Sequence, residues 1–367
     1  MIATIFIVLC TISGLMILHE LGHFILAKKF GVRVDEFGVG YPPRLFSKKI
    51  GQTLYSLNLI PLGAFVKIKE KGIEDFQAFA GKPIWQRTLI LLGGIVSFWI
   101  IAAVLLSIAF GMGTFQAISD EAEGGLTPPR VQITSVAPGS PAKAAGLRTM
   151  DIIKKLRVKD ASFYNDNLNT KEIEVDKVIE VQEFVKNHKA EEIVLTIGRG
   201  KEEIEVSLIP RATPPQGEGA MGVALVRTTV VRYPWWQAPF KGIEATFNAT
   251  WFVIISLFQA ISNAIQGLPT GVQLTGPVGV GVLIGQATQE GMSYFLQFVA
   301  LISVHLAIFN LLPIPAVDGG RLAFLGIEKI KGRAIDQRLE QKINTISLAL
   351  LFSLMIWVTV RDIMGLF

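Results

Sequence analysis

Cysteine is nearly absent from this chain of 367 residues: Cys10 is the only one, and it lies inside an apolar run. That excludes a disulfide framework and a Cys-rich zinc site, so any bound metal must be held by His and carboxylate. Histidine is almost as scarce, at four residues: His19, His23, His188 and His305. Charged residues make up only 18%. The net charge of +5 is not gathered into an aromatic-interleaved basic patch, so nucleic acid is not an expected partner. What is plentiful is apolar sequence. Half the residues are hydrophobic and the mean hydropathy is +0.47, too much contiguous apolar chain for one ordinary soluble domain.

The first apolar run, Ile2 to Leu18, lacks a basic n-region and an A-x-A cleavage site, and its pattern resumes at Phe24-Ile25-Leu26-Ala27. It is expected to stay as a span rather than be removed as a signal. Further spans are predicted over about 88–110, 294–312 and 343–360, each near bilayer length. Between the first two spans eleven Lys/Arg face five acids, which places this loop in the cytoplasm. The basic loop from Arg321 to Lys342 falls on the same side, leaving residues 113–292 outside. Within them, Gly242 to Gln266 mixes Trp251, Phe252, Ile255 and Phe258 with Glu244, Asn248, Gln259 and Asn263. It reads as an amphipathic interfacial helix, because a crossing there would invert the next span against the charge rule.

The expected architecture is therefore a multi-pass α-helical membrane protein of about four transmembrane helices, with two insertions. In the first, Thr53 to Leu59 alternates like a strand and Gly63-Ala64-Phe65-Val66-Lys67-Ile68 follows Pro61. This predicts a β-hairpin over about 50–68 that dips into the bilayer from the cytoplasmic side, where strand backbone survives only if buried in protein or lining a watery cavity. In the second, alternating runs from Arg130 to Arg211 around a helix-like Val178 to His188 predict a small α+β module. The boundaries follow as 1–113 for the first two spans, 126–211 for the module, 212–292 for the segment with the interfacial helix and 293–367 for the last two spans.

Chemistry concentrates at His19-Glu20-Leu21-Gly22-His23. On a helix the two histidines share one face at i, i+4, so both imidazoles reach one metal while Glu20 approaches a water beside it. Such strings also arise by chance. Here, however, each ionisable residue near mid-membrane costs about 2.5–3.5 kcal/mol, so three together require a partner or a wet cavity. A catalytic zinc takes three protein ligands, and one is missing. Asp318 is the candidate: it follows Asn310-Leu311-Leu312-Pro313-Ile314-Pro315-Ala316-Val317, and the third span delivers it to the side reached by His19 and His23. Without that need, Asp before Gly-Gly is a common turn residue. His305 competes as a ligand but lies deeper in its span, and His188 falls in the module. The Asn310 amide suits either a substrate backbone or a neighbouring helix. Gly93 and Gly94 read as packing features. The expected reaction is peptide hydrolysis at a Zn²⁺ site, with Glu20 as the base that later returns the proton to the leaving amine.

Together with Phe37-Gly38-Val39-Gly40, Pro61 to Lys67, Lys82-Pro83-Ile84-Trp85-Gln86-Arg87 and Leu274-Thr275-Gly276-Pro277-Val278-Gly279, these motifs resemble the site-2 protease family of intramembrane zinc metalloproteases, in its bacterial form, over nearly the whole chain. The stretch Ser140 to Leu147 and the strands from Ile193 to Pro210 look like a single PDZ domain. The resemblance implies that the hairpin presents substrate as an added strand, near Gly63 and Phe65, and that the PDZ-like module lies on the extracytoplasmic side of a bacterial inner membrane and excludes bulky ectodomains. It implies regulated intramembrane proteolysis of single-pass membrane proteins already shortened on the outer side, an anti-sigma factor being one such substrate.

Three departures stand out. Gly94-Ile95-Val96-Ser97 replaces a frequent Gly-Pro-x-x-Asn, Thr149-Met150-Asp151 replaces a Gly-Asp turn, and residues 160–176 read as an insertion in the module. Two rival functions remain open on sequence alone: a membrane metal transporter, since intramembrane His and carboxylate also mark ion pathways, and a non-catalytic PDZ scaffold.

Overall fold

A computed structural model describes residues 2–70, 77–122, 125–159, 172–200, 202–215, 217–268, 270, 275–333 and 335–364. Most of the expected insertion at 160–176 lies outside the described residues. In chain order the elements are α1 (Ile2–Lys29), β1 (Val34–Ile50), β2 (Thr53–Ile68), α2 (Ile84–Met112), β3 (Thr114–Ile118), β4 (Arg130–Val136), α3 (Pro141–Ala144), β5 (Ile152–Val158), β6 (Ile173–Glu174), α4 (Val178–Asn187), β7 (Ile193–Arg199), β8 (Glu202–Leu208), β9 (Val223–Val231), α5 (Ala238–Ile265), α6 (Pro277–Gln289), α7 (Met292–Leu311), α8 (Asp318–Lys331) and α9 (Gln337–Met364). They form two compact units, Met1–Ala109 with Trp235–Phe367, and Phe110–Pro234.

In the first unit, α1, α2 and α7 meet around Leu15, Phe98, Val299 and Ala307. The α1–α2 crossing is close because it is made by glycines: a Cβ on Gly93 would stand 2.8 Å from the Gly22 carbonyl oxygen. Small residues of this kind let helix backbones approach where no hydrophobic drive separates protein from lipid. Five helices are long and apolar enough to cross a membrane, one more than the four spans expected from sequence. The addition is α5, which covers the segment read as interfacial. Its Ala249, Val253 and Ile254 pack on Ala102, Ala300 and Val304, and Trp99 Nε1 donates to Thr250 Oγ1 at 3.1 Å. These contacts fall midway along α2 and α7, as expected of a helix running beside them. At the other end of the bundle Asp362 accepts the Gly276 and Gly279 backbone N–H groups, both at 2.8 Å, capping α6.

The β-hairpin expected over 50–68 is larger and starts earlier. Its strands β1 and β2 join through Gly51-Gln52, and Pro61 lies within β2 instead of at a turn. Residues 36–39 have partners on both sides, at 54–57 and at 64–67, so the pair curls into a sheet whose central segment is the start of β1. The bend in β2 is held from α1: Ser13 Oγ donates to the Pro61 carbonyl at 2.7 Å and accepts from the Gly63 N–H at 3.3 Å.

The second unit carries a seven-stranded antiparallel sheet in the order β3-β9-β4-β5-β7-β8, with β6 added to β5. Its core gathers Val131, Ile133, Leu156, Ile193, Leu195 and Ile197 against Val181 and Val185 of α4. The buried Arg227 donates to the carbonyl oxygens of Ser119, Asp120, Ala122 and Asp176 and to the Asp176 carboxylate, while Asp120 accepts the first N–H groups of α4. On β9 only Arg227 to Val231 pair with β3, so Val223 to Val226 present an edge beside α4. A cavity of about 380 Å³ lies there, lined by Val181, Val185, Lys186, Met221, Val223 and Leu225. Met150, in the Thr149-Met150-Asp151 stretch that replaces a Gly-Asp turn, takes the left-handed conformation at φ 77°. Asp151 beside it is buried and receives Nε and Nη2 of Arg199 at 2.8 and 2.7 Å.

Candidate metal centre

Helix α1 places His19 and His23 one turn apart, each 6% exposed. The His19 ring stacks on Phe98, with centroids 4.5 Å apart. His23 Nδ1 donates to the Ile90 carbonyl of α2 at 2.9 Å, which fixes its tautomer and leaves the Nε2 lone pair free. Space for both rings comes from Gly94. A Cβ there would collide with His23 Nε2 and stand 2.7 Å from His19 Cε1.

Asp318 arrives from the other end of the chain. Helix α7 ends before Pro313, which cannot continue it, and Ala316 then turns through φ 78° while its N–H donates to Asn344 Oδ1 of α9 at 3.2 Å. The helix α8 starts at Asp318 itself, and Gly319 and Gly320 lie so close to the Leu312 and Ile314 carbonyls that no side chain fits at either position. The result is that Asp318 Oδ2 stands 3.3 Å from His19 Nε2 and 3.2 Å from His23 Nε2, with the two nitrogens 3.3 Å apart. Among the described residues this is the one group of three or more His, Cys, Asp or Glu able to hold a metal.

The donor set fits zinc. A tetrahedron with metal–ligand bonds of about 2.0–2.1 Å has edges of about 3.3 Å, the spacing seen among these atoms. Two imidazole lone pairs facing a carboxylate at that distance also require positive charge between them. His19 Nδ1 is buried without a hydrogen-bond partner among the described residues, so its free nitrogen is fixed by what Nε2 faces.

Glu20 sits beside this cluster, with His23, His19 and Asp318 as its charged neighbours and the Val66 backbone of β2 close by. Of the other residues expected at the site, Gly63 is buried at φ 78° in the bend pinned by Ser13. The Phe65 ring is half-buried over Gly38 and stacks on Tyr41 with centroids 6.1 Å apart. The Asn310 amide donates to the Leu306 carbonyl of its own helix at 2.9 Å. His305 is exposed and bonds the Leu301 carbonyl, and His188 bonds the Phe184 carbonyl, so neither joins the cluster. Sequence reasoning missed Ser13, Ile90, Gly94 and Asn344 as parts of the centre. Only Gly94 carried a signal, as half of a Gly-Gly pair inside a span.

The chain matches peptidase family M50 over residues 7–354. It is 30% identical over 363 residues to a putative zinc metalloprotease of Clostridium perfringens, covering 97% of each chain. It is 26% identical over 442 residues to the regulator of sigma-W protease of Bacillus subtilis, covering 96% of each. Similarity extends to plants: a probable chloroplastic membrane metalloprotease of Arabidopsis thaliana is 30% identical over 370 residues, covering 97% of this chain and 78% of the relative.

Proposed function

Because this chain belongs to peptidase family M50, and is an intramembrane zinc metalloprotease, we propose that His19, His23 and Asp318 hold its zinc and that Glu20 is its catalytic base. The observation that carries the assignment is the meeting of two Nε2 atoms and one Oδ2 within 3.3 Å, beside Glu20. Bound zinc supplies Lewis acidity toward water and toward a carbonyl oxygen. Glu20 takes the proton of the attacking water and delivers it to the leaving amine, so one carboxylate serves both halves of the hydrolysis. His23 is oriented by the Ile90 carbonyl.

A transmembrane helix hides its carbonyls in its own hydrogen bonds and must unwind before it can be cut. The edge of β2 from Gly63 through Phe65 offers strand pairing beside Glu20, with Phe65 holding the segment against Gly38. Strand addition gives affinity through backbone bonds and little side-chain selectivity. One Asn310 N–H is held by the Leu306 carbonyl, which orients the side chain and leaves its oxygen to receive a substrate N–H. The second unit is a PDZ-like domain on the extracytoplasmic face of a bacterial cytoplasmic membrane, and it keeps bulky ectodomains away. The substrates are then single-pass proteins already shortened outside, an anti-sigma factor among them. A relative named as a regulator of sigma-W supports that class.

The test is cleavage of a model single-pass membrane protein by wild type and Glu20→Gln side by side, with zinc content measured on both. Loss of cleavage with zinc retained is expected. Undiminished cleavage by Glu20→Gln would sink the assignment of the base. Zinc flux into liposomes would favour transport, and a wild type without zinc would favour a scaffold.

A further inference from the structure

Zinc ligands tolerate displacements of only about 0.2 Å, yet Asp318 is separated from His23 by nearly the whole chain, and the linker before it is strained at Ala316. Something must fix α8 against α1 and α2. Its apolar face does so in part: Leu325 and Leu322 pack with Ile90, Leu91, Ala27 and Val32. Apolar packing is non-directional, however, and leaves a helix free to slide or rotate.

One contact is directional. Arg87 Nη1 donates to Glu328 Oε2 at 3.0 Å and Nη2 donates to Oε1 at 2.6 Å, a two-pronged pair whose side chains are 11% and 19% exposed. Arg87 lies in the first turn of α2, one turn before Ile90, whose carbonyl orients His23. Glu328 lies ten residues beyond Asp318, about 15 Å along a rigid helix. The pair therefore joins the element that aims one histidine to the element that carries the carboxylate. We propose that the Arg87–Glu328 pair is a clamp that sets Asp318 at ligand distance from the two histidines, making Arg87 and Glu328 positioning residues for the metal centre.

The inference rests on the ligand assignment above. A forked guanidinium–carboxylate pair fixes angle as well as distance, which a lysine cannot reproduce. The neighbouring Arg321–Glu70 pair at 2.7 Å makes an internal contrast: its side chains are 37% and 63% exposed, and solvent screening leaves it little to hold.

Zinc affinity is to be measured on the full-length protein in detergent, by competition with a chromophoric chelator, in the Glu20→Gln background. Outer partners of metal ligands typically change affinity by about 10- to 100-fold. Arg87→Gln and Glu328→Gln are each expected to weaken zinc binding by that factor, and the double variant by no more than either alone. Arg87→Lys should fall between, and the exchanged pair Arg87→Glu with Glu328→Arg should recover most of the affinity. Glu70→Gln should change it less than about twofold. Zinc affinity within twofold of the parent for both Arg87→Gln and Glu328→Gln overturns the clamp. So does a loss that follows the thermal stability of the metal-free protein and is not recovered by the exchange. Asp318→Ala run in parallel separates the two readings: if it binds zinc as tightly as the parent, the ligand assignment itself has failed and the clamp falls with it.

Discussion

Gly94→Ala adds one methyl group, and the structure says where it goes. The new Cβ would overlap His23 Nε2 and come to 2.7 Å of His19 Cε1, so both ligand rings must yield. The α2 backbone cannot retreat instead without losing its close passage at Gly22 and Gly93, where a Cβ would also be too near a carbonyl. His23 cannot swing freely either, because its Nδ1 is bonded to the Ile90 carbonyl at 2.9 Å. Overpacking of this sort costs about 1–3 kcal/mol. Since the displaced atoms are the ligand atoms, that energy comes out of zinc binding, and 1.4 kcal/mol is tenfold in affinity. The expected loss is about 5- to 150-fold. Chelator competition reads it directly, and cleavage of a model substrate should fall at limiting zinc and recover in part at high zinc. Gly14→Ala in α1 is the control: nothing lies within 4 Å of its Cβ, and alanine in a helix is favoured by about 1 kcal/mol. Gly94→Ala that binds zinc and cleaves as Gly14→Ala does would refute the packing argument.

Ser13→Ala removes both bonds that pin the bend of β2, each worth about 1 kcal/mol, so kcat/KM should fall roughly fivefold or more while zinc affinity stays at the parent value; parallel losses of both would show that Ser13 acts on the metal instead. Arg227→Ala strips five acceptors of a buried cation, four of them backbone carbonyls and one the half-exposed Asp176 carboxylate, and should destabilise the second unit by about 1–3 kcal/mol, read as faster hydrogen exchange of the α4 amides in the full chain. Exchange rates matching wild type would contradict this. Met150 combines a buried side chain with φ 77°, so Met150→Gly trades about 1–2 kcal/mol of relieved strain against about 1.5–3 kcal/mol of lost burial, whereas Met150→Val loses volume and adds strain, because a β-branched residue fits positive φ worse than Met does. Pulse proteolysis should therefore rank Met150→Val as the less stable; the reverse order would discard the strain.

How much of this was legible beforehand depends on the range of the physics involved. The pairing of His19 with His23 follows from helical spacing alone, and the need for a third ligand follows from the arithmetic of zinc coordination. The choice of Asp318 leaned on a count of four spans, whereas five helices are long and apolar enough to cross, so its meeting with the histidines is a contact that only folding reveals. The start of β1 was invisible for a local reason: Gly38, Gly40, Pro42 and Pro43 break the alternation that marks a strand, and pairing on both sides at 54–57 and 64–67 supplies what propensity does not. The polar residues of α5 suggested a wet face. Instead Gly242 and Thr246 are among its buried positions and Thr250 bonds Trp99, while large apolar side chains such as Phe240, Phe247 and Phe258 face outward. Gly94 was legible as a packing glycine but not as room for imidazoles, since that depends on which face of α1 it meets. The Arg87–Glu328 pair spans 241 residues and had no sequence signature.

One zinc between two residues of α1 and the first residue of α8 underlies the proposed hydrolysis. Anomalous diffraction at the zinc edge from crystals of the Glu20→Gln protein would locate it. One peak is expected about 2.0–2.2 Å from His19 Nε2, His23 Nε2 and an Asp318 carboxylate oxygen, lost or displaced in Asp318→Ala. A peak elsewhere in the molecule, or one at the histidines that stays in place and at full height in Asp318→Ala, would contradict it.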